Sequence, residues 1–176
     1  MRLAIASTWD GMALTEGEVA SVEVARDSDG LVIAMRARSW GDPIPDGPVG
    51  RRDRLWEHEV VEVFFAEAAR RDARYLEIEV GAHGHWLALS FDGYRTLRDD
   101  QVTVAVEHAR SGVGWSAVVR VAPEVVRAAL PGGIGAWNAY AIHGPGTRRY
   151  LAAAVPHEQY PGPDFHRLEH FVALAR

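Results

Sequence analysis

The chain has no cysteine, which excludes disulfide frameworks, thiolate metal sites and cysteine nucleophiles together. It also lacks any apolar run approaching a membrane-spanning helix, and its first residues, MRLAIASTWDG, contain no apolar stretch of the kind a secretory signal needs. A cytoplasmic protein without a membrane partner is the expectation. No clustered basic surface is visible either: the basic residues are scattered arginines, the net charge is −5 and the pI is about 5.9, so nucleic acid is not expected as a partner. Phosphate loops, GxSxG elbows and HExxH pairs are missing, and with them any recognisable catalytic constellation or cofactor motif.

What is present is ordinary for a globular domain, with 48% apolar and 24% charged residues. A length of 176 residues fits one domain, 1–176, with a sizeable core, and no linker, repeat or low-complexity segment divides it. Gly17–Asp27 and Leu31–Arg38 alternate as strands around an Asp29-Gly30 turn. Gly41–Arg54, rich in Gly, Pro, Asp and Arg, reads as a long surface loop, and Ala66–Ala73 as a connection. Further strands are predicted over Arg74–Val80, His85–Phe91, Val102–His108, Trp115–Val121, Ile134–His143, Arg149–Val155 and Phe171–Leu174. Pro123–Leu130 carries the one helical pattern, opened by its proline and stopped by Pro131-Gly132-Gly133. About nine strands at this spacing, with no βαβ alternation, predict an all-β fold: an antiparallel β-sandwich of two sheets with one short helix.

The stretch Leu55–Phe65, LWEHEVVEVFF, organises the rest. Alternation puts Val61, Val63 and Phe65 on one face and Val60, Glu62 and Phe64 on the other, so Glu62 is a carboxylate among apolar neighbours. Such a group needs a partner, because burying it unpaired costs several kcal/mol by order of magnitude. That partner is either a ligand or an arginine across the sheet, with Arg36, Arg38 and Arg120 placed on strands. Trp56, where the loop enters the strand, is either a stacking platform or a core plug.

The order LW-x5-E, RYLEIEV with a glycine turn, HWLALSFDGYR, a strand containing WNAY, and PDFHRLEHF resembles the bacterial DOMON-like proteins, which in turn look like type 9 carbohydrate-binding modules. The resemblance runs from about Leu55 onward and implies a β-sandwich that holds a sugar between aromatic rings. It implies that Trp56 matches one stacking aromatic and Glu62 a sugar-binding carboxylate, with Asn138 and Tyr140 on the N-x-Y strand. The chain departs from that pattern at the second tryptophan, where it reads Leu151-Ala152-Ala153-Ala154-Val155; Tyr160 or His157 would have to substitute. The arginine after N-x-Y is Ala141 here, and no cluster of acidic oxygen ligands marks a calcium site. DOMON domains proper can bind haem through Met and His, and of the three methionines only Met35 falls in a predicted strand.

The remaining candidates each have a plain structural reading beside the functional one. Glu77 and Glu79 share a face with Tyr75 and are expected on a solvated surface, although Glu62 and Glu77 together would supply the two carboxylates, within about 10 Å, that a glycosidase requires. His83 and His85 would make half a metal site but lack a third ligand at diagnostic spacing, and no metal is predicted. His166 in PDFH, oriented by Asp164, either lines a site or latches the last strand. Tyr94 and Arg95 after the FDG turn could line a loop-end site. The leading expectation is a non-catalytic module for a small ligand, a sugar or sugar-like polyol, serving an unseen protein partner. Haem or metal binding through His85 or His166, or an enzyme using Glu62 as acid/base, are the alternatives.

Overall fold

The computed structural model describes residues 1–28, 30–156 and 159–174. The expected Asp29 turn position and the candidate His157 lie outside the described residues. Among the described residues, thirteen strands build two antiparallel sheets. The five-stranded sheet runs β1 (Arg2–Ile5), β3 (Ala20–Asp27), β4 (Gly30–Arg38), β10 (Gly114–Val121), β9 (Ala105–Ser111) in spatial order. The larger sheet runs β2 (Ser7–Thr8), β12 (Arg149–Ala152), β11 (Ala136–His143), β5 (Val60–Ala66), β6 (Arg74–Gly81), β7 (Trp86–Asp92), β8 (Leu97–Asp99), and β13 (Val172–Ala173) adds to β11. The predicted sandwich is therefore the fold. No helix among the described residues is long and apolar enough to cross a membrane.

The extra strands β1, β2 and β8 have four, two and three residues, too few for a period of two to register in sequence. Strand β9 begins at Ala105 rather than Val102, because Val102 turns into the core ahead of the ladder, where it is 6% exposed. The helix α1 (Pro123–Ala129) lies where its proline and the following glycines place it.

Alternation sorts the two sides of the larger sheet. Val61, Val63 and Phe65 of β5 and Leu76, Ile78 and Val80 of β6 face the smaller sheet, whose Val22, Ile33, Met35 and Val119 complete the core. A sheet of this kind commonly leaves its other face wet. Here that outer face is also dry: Val60, Phe64, Tyr75, Leu87, Leu89, Phe91, Tyr140 and Ile142 form a second apolar cluster, roofed by Leu55, Phe165, Leu168 and Phe171. The roof comes from the approach to β5 and from the irregular C-terminal segment.

Two polar or steric features fix this arrangement. Glu18 is buried and accepts hydrogen bonds from the Thr15 N–H (2.6 Å) and from Arg149 Nε and Nη2 (2.8 Å each), and it contacts His143 Nε2 at 2.9 Å, pinning the loop before β3 to β11 and β12. The Arg149 guanidinium holds the Glu18 carboxyl far below the usual carboxylate range against the opposing effect of burial. Gly135, just before β11, passes the end of β5 so closely that a Cβ would lie 2.2 Å from the Glu67 carbonyl oxygen.

Replacing Glu18 by alanine strands a half-buried guanidinium and is expected to lower unfolding free energy by about 2–3 kcal/mol, read from urea midpoints at pH 7. An unchanged midpoint would show that the network is ornamental. Gly135→Ala is expected to cost about 1–3 kcal/mol through overpacking, and a thermal midpoint equal to that of the parent would rule out the close approach.

Candidate functional site

The roof over the outer face is incomplete. A cleft of about 410 Å³ opens between the turn ahead of β5, the β7–β8 turn and residues 163–166, lined by Trp56, Glu62, Glu77, Leu89, Phe91, Arg95, Leu97, Ile142, Tyr150 and Pro163 to His166. Its size is in the ordinary range for small-molecule sites.

Trp56 sits in a single 3-10 turn, Leu55–Glu57, entered through Arg54 in the left-handed region at φ 57°. Leu55 is fully buried in the outer cluster, which turns the next side chain outward, and Trp56 is 40% exposed at the cleft rim. Arg148 braces the turn: its Nη2 donates to the carbonyls of Trp56 (3.2 Å) and His58 (2.7 Å), while Nη1 donates to the buried carboxylate of Asp42 (2.6 Å). The indole is thus a presented surface rather than a core plug.

The floor is acidic. Register places Glu62 of β5 opposite Glu79 of β6 on one side and Tyr140 of β11 on the other, and Glu77 opposite Phe64 and Leu89. The expectation that Glu77 and Glu79 form a solvated surface is wrong, since they are 4% and 0% exposed, and Glu62 is 2% exposed. The outer face they share is covered by the C-terminal segment, which strand alternation alone does not reveal. The arginines that were the alternative partners of Glu62 do not reach it, because Arg36, Arg38 and Arg120 belong to the five-stranded sheet. Among the described residues, Glu62 Oε1 and Glu77 Oε2 have no hydrogen-bond partner, and Glu79 has none apart from the Glu77 carboxyl, with which it can share a proton.

Burial pushes all three carboxyls up. Glu77 rises to about 7, and Glu62 and Glu79 also lie well above the usual range, Glu62 lifted further by the charge of Glu77 and Glu79 by the charges of Glu62 and Glu77. In the opposite sense, the hydrogen bond with Glu79 lowers Glu77, and Arg95 and Arg148 act on Glu77 and Glu62 more weakly from a distance.

The opposite wall is a polar clamp centred on Asp164. Burial works to raise its pKa, but the Tyr94 hydroxyl (2.6 Å), Arg95 Nη2 (2.8 Å) and the His166 N–H (3.2 Å) all donate to the carboxylate and bring it below its ordinary value. Arg95 adopts φ 51° and donates its N–H to the Tyr75 hydroxyl, which contacts His166 Nδ1 at 2.7 Å. Burial pushes His166 down to about 4, so it is neutral at pH 7.

Trp56, Glu62, Glu77, Arg95 and His166 are therefore brought to one cleft from four separate parts of the chain. Others from the sequence reading lie elsewhere. Asn138 is fully buried and committed to structure: its Nδ2 donates to the Tyr140 hydroxyl and the Ala154 carbonyl, and its Oδ1 accepts from the N–H groups of Ala139 and Ala154. Tyr140 is stacked on Phe165 at 3.9 Å, below the cleft surface. Tyr94 serves Asp164, and Tyr160 lies under the Arg167 guanidinium with its hydroxyl on His170. His85 is buried with neither ring nitrogen partnered among the described residues, Met35 is buried between the sheets, and no group of three or more His, Cys, Asp or Glu among them could hold a metal ion. The reading missed Tyr150, Phe91 and Phe165 as lining aromatics. Tyr150 immediately precedes the segment in which a second tryptophan was sought, and its strand position opposite Ile142 was the available signal.

The raised carboxyls set a pH dependence. Glu77 binds its proton more tightly folded than unfolded, so its contribution to stability is intact below about pH 4.5, is lost as pH rises through about 7, and stays lost above. Glu77→Gln, which never ionises, is expected to gain on the parent by up to about 3 kcal/mol between pH 5 and 8. Parallel stability curves for the two proteins across that range would contradict it.

No protein-family model matches the chain. In fold it is similar to a Bacteroides uniformis protein named as a putative carbohydrate-binding protein, at TM-score 0.67 and 15% identity over 98% of this chain and 84% of that one. It is also similar to a family 9 carbohydrate-binding module from Caldicellulosiruptor kristjanssonii solved with cellotriose, at TM-score 0.53 and 14% identity over 81% and 68% of the two chains. In sequence its curated relatives are vertebrate rather than bacterial. The UPF0462 protein C4orf33 homolog of Mus musculus is 32% identical over 97% of this chain and 89% of that protein, and the Danio rerio homolog is 33% identical over 95% and 85%. At this identity and coverage, the chain belongs to the UPF0462 family.

Proposed function

We propose that the cleft binds a sugar or sugar-like polyol, with Trp56 stacking on the ring and Glu62 and Glu77 bonding its hydroxyls. The observation that carries this reading is the meeting of an exposed indole and buried, hydrogen-bond-hungry carboxyls in one opening. A carboxyl that keeps its proton near neutral pH both donates and accepts, which matches the double character of a hydroxyl. Tyr150 and Phe165, on the other walls, supply further aromatic surface. The like-folded carbohydrate-binding proteins add support of the same kind. Nothing in this role requires a bond to be broken, so the proposal is a binding module.

Titration with a panel of mono- and disaccharides, followed by tryptophan fluorescence, is expected to give a saturable change that Trp56→Ala abolishes. Glu62→Ala is expected to weaken binding about tenfold, the value of one to two lost hydrogen bonds. No response to any sugar at millimolar concentration would overturn the reading.

A further inference from the structure

The polar groups around the cleft do not balance in charge. Of the ionisable side chains that line it, Arg95 is already paired with Asp164 at 2.8 Å, and His166 is hydrogen-bonded to Tyr75. Glu62 and Glu77 remain, with Glu79 directly behind them in the ladder. Arg148, the other nearby cation, is spent on Asp42 and on the carbonyls of the Trp56 turn. Besides one another and these two arginines, the glutamates share their surroundings with Tyr140 of β11, Tyr75 of β6 and, in the cleft wall, Asp164 and His166, and Glu77 and Glu79 are in side-chain contact. Among the described residues no basic side chain forms an ion pair with any of the three.

Buried carboxyls in this position have two routes to neutrality, a proton or a counter-cation. We propose that the ligand brings the counter-cation: it carries a cationic nitrogen, as an amino sugar does, and the ammonium sits against Glu62 and Glu77. The inference rests on the sugar reading and narrows its ligand class. An ammonium on the ring supplies three donors to a floor that has only acceptors once it ionises, and in this enclosed place the attraction is far less screened than in water. A neutral sugar leaves the protons on the glutamates. A cationic one displaces one of them, so its binding releases up to one proton to the buffer while the second carboxyl keeps its own.

Calorimetry of the whole chain at pH 7 with glucosamine, glucose and N-acetylglucosamine separates the possibilities, with methylammonium as a cation lacking the ring. Glucosamine is expected to bind at least tenfold tighter than both uncharged sugars, with a heat that varies with the buffer's ionisation enthalpy. The double variant Glu62→Gln, Glu77→Gln is isosteric and is checked for folding by near-ultraviolet circular dichroism; it should abolish that preference. Equal affinity for glucose and glucosamine overturns the cation site and leaves the sugar reading standing. Binding of methylammonium with no binding of any sugar supports the cation site and overturns the sugar reading. Silence with all four probes overturns both.

Discussion

A β-strand pressed between two apolar layers has nowhere to send a polar side chain, and β5 and β6 are pressed in this way. One layer is the opposing sheet; the other is the chain's own C-terminal segment folded back over the outer face. Three glutamates interrupt the second layer, and the carboxyls of two of them, Glu62 and Glu77, are held at the bottom of the gap it leaves, with Glu79 buried beside them. Desolvation on this scale raises a carboxyl's pKa, and mutual repulsion among neighbours raises it further. The site's chemistry is therefore a product of the covering layer as much as of the strands beneath it.

The rim is assembled by substitution of one buried group for another. Leu55 fills the apolar cluster so that Trp56 need not, and Arg148 is occupied by Asp42 and two carbonyls, so it props the indole without discharging the floor. Asp164 plays the corresponding part on the facing wall, where it absorbs Arg95 and gathers Tyr94 and the His166 backbone. Cations are present around the opening but each is already satisfied, which leaves the glutamates as the unmet electrostatic demand.

Much of the sandwich was legible in the chain because a period of two survives wherever a strand is five or more residues long. Strands of two to four residues, such as β1, β2 and β8, carry too few alternations to be seen. In the site, Trp56 and Glu62 stood out because each broke the local pattern, an aromatic at a loop end and a charge in an apolar run. Glu77 and Glu79 did not, since a carboxylate opposite an apolar face is what a solvated strand also shows. The distinction lies in residues 163–171, about ninety positions away, which no local pattern encodes. Asn138 failed for the converse reason: a lone amide on a strand looks available until Ala154 is seen to take both of its ends.

Because one wall of the cleft is contributed by Pro163 to His166, the order in which the ribosome delivers the chain bears on when the cleft can exist. Every strand that carries a floor residue precedes that wall in the sequence. Until the last segment docks, the outer face has no roof and no cleft, so closure of that face is the step that takes the glutamates out of water and raises their pKa values.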